Sequence, residues 1–136
     1  MLSIQTIKYK GKILAHIFKK ELKANGVKFL TPDSYSLQLG LLEHKKGVIL
    51  KSHQHNPDVK YKVDTTQEFL YVEKGKVKVT YYSNDWKKVK EVIMHKGDFF
   101  LHVDGGHGFE MLEKSRLIEV KQGPYPGENI AKIYKK

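Results

Sequence analysis

Four side chains of this sequence, His53, His55, Glu68 and His107, have the types and spacing that could hold a metal ion. His53 and His55 stand two apart in Gly47-Val-Ile-Leu-Lys-Ser-His-Gln-His. In an extended strand successive side chains point to opposite faces, so the two imidazoles share one face and Gln54 takes the other. Glu68 opens a second extended run that ends at Gly75, and His107 follows a glycine-rich turn, Asp104-Gly105-Gly106. Imidazole and carboxylate together suit a first-row transition ion such as iron, manganese, nickel, cobalt or zinc, whereas calcium or magnesium would draw mostly on oxygen ligands. His102 is the reserve ligand, should the short turn carry His107 out of place.

Strands must carry these residues. Short apolar runs punctuated by glycine, proline, asparagine and aspartate predict strands over 4–9, 12–19, 27–30, 36–44, 47–55, 68–72, 76–82, 89–94, 99–103, 107–112 and 116–121. Counting by twos, Glu68 shares its face with Leu70 and Val72, and His107 shares its face with Phe109 and Met111. Apolar companions turn both faces inward, and an inward carboxylate is costly unless it is paired or metal-bound. Gly75 and Asn84-Asp85 read as successive hairpin turns, which makes a meander. Residues 56–66 form a long polar connection directly after the histidine pair, placed to cover the mouth of a site.

The 136 residues suffice for one domain with its own core and are too few for two ordinary ones. The expected layout is a single domain over 1–136, with N-terminal strands in 1–35, a barrel core over about 36–122 and a C-terminal tail over 123–136. A hydrophobic share of 40% and a charged share of 29% are ordinary for a folded chain. Net charge is +10, yet Arg116 is the only arginine, and the lysines are scattered or alternate with apolar residues, as in Lys76-Val77-Lys78-Val79. Such lysines describe solvated strand faces; without guanidinium forks to read phosphates and bases, no nucleic-acid partner is expected. The absence of cysteine excludes disulfides, thiolate metal sites and cysteine nucleophiles. No apolar run approaches membrane-spanning length and no leader pattern opens the chain, so the expectation is a cytoplasmic protein without a membrane partner.

Together the motifs resemble the cupin superfamily. Gly47, five residues, His53-x-His55, a spacer, then Glu68, six residues and Gly75 follow that family's first motif, although the spacer of twelve residues is longer than the family's. Gly97-Asp98 looks like the opening of the second motif, and Asp104-Gly105-Gly106-His107 resembles its later part, with Val103 at the proline position and Met111 where asparagine would follow. The chain is also similar to small stand-alone bacterial cupins in Gly-Gly-His-Gly-Phe-Glu-Met-Leu and Ile-Glu-Val-Lys-Gln-Gly-Pro-Tyr. The resemblance implies an all-β jelly-roll barrel, the cupin double-stranded β-helix, holding one divalent transition metal on three His and one Glu, and a homodimer. It also implies a small-molecule ligand or substrate.

For activity, the resemblance allows isomerases, epimerases and dioxygenases, with sugar or sugar-nucleotide substrates among those it suggests. Metal-free deoxysugar-nucleotide cupins use a His/Asp or His/Tyr pair, and three His with a Glu point away from them. Tyr71, Lys51, Tyr61 and Glu110 are conceivable acid/base residues, though no spacing ties them to the metal set. The alternative expectation is a metal-dependent module that binds a small ligand without turnover.

Overall fold

Alternating apolar and polar residues between glycine and aspartate turns fold as ten strands in the computed structural model, which describes residues 3–136. In chain order these are β1 (Ile4–Tyr9), β2 (Lys12–Phe18), β3 (Gly26–Phe29), β4 (Gly40–Glu43), β5 (Glu68–Lys74), β6 (Lys76–Tyr82), β7 (Lys88–His95), β8 (Phe99–His102), β9 (Gly106–Met111) and β10 (Arg116–Lys121). A single helical turn, α1 (Glu128–Ala131), lies in the tail. Met1 and Leu2, the start of the expected N-terminal strand region, lie outside the described residues. The chain divides into two compact units, Met1–Leu22 with Thr66–Lys136, and Lys23–Thr65.

The first unit is an antiparallel sandwich. One sheet runs in the order β1-β2-β8-β5-β10 and the other in the order β7-β6-β9. Ile17, Leu70, Val72 and Phe100 from the larger sheet meet Val77, Val79, Tyr81 and Met94 from the smaller, all buried. Each comes from the inward-facing half of a period-two pattern, and burying a side chain of this size contributes about 1.5–3 kcal/mol. All-β antiparallel architecture is therefore as the sequence predicts. Among the described residues the sheets stay open: β1 and β10, and β7 and β9, remain edge strands instead of closing a barrel.

Corners, not hairpins, connect most of the sandwich, and here the meander expectation is corrected. One residue, Gly75, separates β5 from β6, fewer than the two that the tightest common hairpin loop needs. The chain instead passes from one sheet to the other: β5 pairs with β8 and β10, and β6 with β7 and β9. Gly75 sits at φ 97°, and a Cβ there would strike the Ser115 side chain and the Lys114 carbonyl oxygen. Ser83 to Lys87 does form the expected hairpin turn, with Ser83 N–H donating to the Lys87 carbonyl at 2.9 Å. At the corner between β7 and β8 the buried Asp98 carboxylate accepts from Lys20 N–H at 3.0 Å and His95 N–H at 2.9 Å, and pairs with Lys19 Nζ at 3.4 Å. Gly97-Asp98, which looks like a motif opening in the sequence, is thus a structural corner.

The second unit is a small ladder of β3 and β4 with a tied loop between them. Gln38 Nε2 donates to the Pro32 and Tyr35 carbonyls, both at 2.9 Å, while Thr31 Oγ1 accepts from Leu39 N–H at 3.1 Å. The expected strand over 36–44 shortens to Gly40–Glu43. The strand expected over 47–55 is absent, as is any strand between Glu43 and Glu68. An extended run becomes a strand only when a neighbour takes its backbone groups. Within this unit that stretch makes local turns, Val48 N–H donating to the Lys45 carbonyl and Val59 N–H to the Asn56 carbonyl. No helix among the described residues is long and apolar enough to cross a membrane.

Candidate metal centre

Glu68 is the first residue of β5 and His102 the last of β8, and the two are direct partners across the ladder. Directly opposed residues of a ladder share a face, so carboxylate and imidazole point together into the sandwich. His107 comes from the facing sheet, on β9 opposite Tyr81 of β6. The corner that delivers it is Asp104-Gly105, where Gly105 at φ 75° lies so close to the Tyr82 carbonyl that a Cβ would strike it. The three side chains meet: His107 Nε2 lies 3.4 Å from Glu68 Oε1, and the His102 and His107 rings are 4.2 Å apart between centroids, nearly perpendicular at 80°. Phe100 floors the cluster, edge-on to His107 at 6.4 Å.

Burial sets the electrostatics. His102 is 8% exposed, and burial together with the neighbouring His107 lowers its pKa to about 4, against an upward pull from Glu68, so the ring is neutral at pH 7. Burial pushes the Glu68 carboxyl up, but its contacts with His107 and Glu119 more than offset it, leaving Glu68 below its ordinary value. Glu119 moves the other way, raised by partial burial and by the Glu68 carboxylate beside it. Nδ1 of His102 and Nδ1 of His107 are buried with no hydrogen-bond partner, as is the Tyr81 hydroxyl. Buried polar atoms are nearly always satisfied, by protein, water or a ligand, and in His107 the orphan is the nitrogen on the ring edge away from Glu68.

By donor type, two imidazoles and one carboxylate, the cluster suits a first-row transition ion. As the side chains stand they contact one another, and among the described residues no group of three His, Asp or Glu is already arranged to hold an ion. Binding would therefore exchange the Glu68–His107 contact for contacts to the cation.

The remaining expected residues are placed as follows. His53 and His55 lie in the second unit on an exposed, strandless stretch. Their rings are neighbours, with centroids 5.4 Å apart, and His53 Nδ1 contacts the Lys51 carbonyl at 3.0 Å. Lys51 and Tyr61 are exposed on the same stretch, Tyr61 at 87%. Tyr71 is on the outer face of β5, opposite Phe99 and Ile118, turned away from Glu68. Glu110 faces outward and pairs with Lys78 Nζ at 3.1 Å. His102, the reserve ligand, stands beside His107 and does not replace it.

Glu119 is the residue the sequence pattern missed. On β10 it lies opposite Leu70, on the Glu68 face, with Lys121 opposite Glu68 itself. Alternation in Leu117-Ile-Glu-Val-Lys121 points the other way, because Ile118 and Val120 look like the inward pair. They are in fact 44% and 52% exposed, while Leu117 packs against the core. No family model, no curated protein and no solved structure matches the chain.

Proposed function

We propose that the chain is a small metal-binding protein of the cupin kind, acting on a small polar molecule, with Glu68, His102 and His107 as ligands inside the sandwich. The observation that supports this is the convergence of one carboxylate and two imidazoles from three strands, with two buried nitrogens unpartnered. When bound, a divalent transition ion would supply Lewis acidity for isomerisation or epimerisation of a sugar or sugar nucleotide, or, as ferrous iron, a centre for dioxygenation. The chain's own residues prepare the place. Neutral His102 keeps a nitrogen lone pair available well into the acid range, and Glu68 keeps His107 beside it until a cation replaces that contact. Phe109 and Met111, 38% and 52% exposed on the His107 face of the edge strand β9, give an apolar rim through which a ligand reaches the interior.

A homodimer belongs to the same proposal and rests on the resemblance alone; the cytoplasmic setting expected from the sequence is kept as part of it. One observation favours the non-catalytic alternative: of the conceivable acid/base residues in the first unit, Tyr71 faces away from the cluster and Glu110 is engaged on the surface. A module that binds a ligand through a metal needs neither. Oxygen consumption by the iron-loaded protein and isomerisation of a sugar-nucleotide panel separate the two; turnover of any compound supports the enzyme, and tight binding of one compound without turnover supports the module. His53→Ala with His55→Ala tests the sequence motif. Metal content below that of the parent chain keeps the pair among the ligands, and full stoichiometric metal removes it.

A further inference from the structure

The tail over 123–136 follows β10, whose last residue, Lys121, is the ladder partner of Glu68, and none of the tail is buried. Three neighbours mark its course. Lys121 Nζ lies over the Tyr125 ring, 5.7 Å from the centroid. Lys132 is a charged neighbour of Glu119, which stands on the Glu68 face of the edge strand β10. Lys135 Nζ lies over the Tyr82 ring at 5.8 Å, and Tyr82 is the ladder partner of Gly106, the residue before His107. The segment starts on one sheet beside Glu68 and reaches the other beside His107. It therefore crosses the end of the sandwich at which the cluster lies.

We propose that residues 123–136 are a strap across the mouth of the Glu68, His102 and His107 cluster, latched by Lys135 on Tyr82, and that release of the latch admits the ligand. This rests on the reading of that cluster as the functional site. The groups beneath are enclosed, with the His107 and Glu68 side chains 19% and 12% exposed, so a ligand needs a route in. The sheets leave one on the side bounded by the edge strands β9 and β10, and the strap stands across it. Its hold is weak. Ile130, Ile133 and Tyr134 are 77%, 85% and 62% exposed, and the one helical turn buries nothing. Segments with so few buried apolar contacts lie at the low end of local stability, and an exposed cation–π contact adds little to it. Within the strap the Tyr134 hydroxyl donates to the Glu128 carboxylate. That bond ties its two halves together, so Lys135 can leave Tyr82 without unravelling the segment.

The test is the rate at which diethyl pyrocarbonate modifies His107 in the metal-free full chain, read by mass spectrometry for the parent, Lys135→Gln, Lys135→Arg and Lys136→Gln. Lys135→Gln should speed modification by about 2- to 5-fold, the factor that an exposed cation–π contact is worth. Lys135→Arg keeps the contact and should match the parent. Lys136→Gln removes the same charge without touching the latch and should match it too. Exposed His53 should react at one rate throughout. Trp86, the one tryptophan, has its ring 5.8 Å from that of Tyr82, so its emission should change in Lys135→Gln and not in Lys136→Gln. Both lysines are exposed, so folding should survive, and circular dichroism checks it. A parent-like His107 rate in Lys135→Gln, or an equal rise in Lys136→Gln, would overturn the strap. Zn²⁺ titration of the parent judges the metal reading separately, so either can fail alone.

Discussion

His102 shows at the scale of one residue what the interior demands. Its pKa falls from 6.5 in the free side chain to about 4 in the fold, with burial the leading cause. A lowered value means that the unfolded chain takes up a proton first as pH drops. Stability is therefore fully present above pH 6.5 and drains away as pH falls toward about 4, by about 3 kcal/mol if the whole shift is realised. Urea unfolding of the metal-free chain at pH 7 and pH 4.5 should show this loss, and His102→Gln should lose less than the parent over the same interval. An identical loss in both would mean that the ring is not held neutral by its surroundings. The sequence marked His102 only as a reserve, because nothing in the spacing of Phe99-Phe-Leu-His102 reveals that its ladder partner is Glu68.

At the scale of elements, the corners decide which residues meet. Gly105 turns the chain from β8 into β9 and so brings His107 over His102. A methyl group there would strike the Tyr82 carbonyl and lie 3.0 Å from Leu14 Cδ2, so Gly105→Ala should lower stability by about 2 kcal/mol or more. Gly11 has a similar φ, 77°, with nothing within 4 Å of a Cβ, and Gly11→Ala should cost only about 1 kcal/mol. Thermal or urea melts of the two variants side by side measure the difference. Asp98→Ala strips two backbone N–H groups and Lys19 of their partner in a buried corner, and should cost about 3 kcal/mol by the same melts. Strand positions were legible in the sequence over most of this unit, since alternation such as Val77, Val79, Tyr81 has one physical meaning. Pairing was not: Gly75 looks the same in a hairpin and in a corner, and only the separate partners of β5 and β6 tell them apart.

Across the whole molecule, local pattern served the sandwich better than the motif served the site. Glu68 was legible as an inward carboxylate, because Leu70 and Val72 share its face and are buried; His107 is largely enclosed as well, although the companions that marked its face, Phe109 and Met111, are 38% and 52% exposed. Glu119 was hidden by a sheet whose outer face is also apolar, with Ile118 and Val120 mimicking a core pattern. The strand expected to carry His53 and His55 failed for a different reason: alternation is necessary for a strand, but a hydrogen-bonding neighbour is what makes one, and a single sequence does not name the neighbour. The central claim is that the gathered side chains of the sandwich hold a divalent transition ion. The most direct test is titration of Zn²⁺ into the chelator-stripped chain and into Glu68→Gln with His107→Gln. The predicted result is saturable binding of about one ion per chain by the parent and none by the folded double variant; binding of equal affinity by both, or none by the parent, would contradict it.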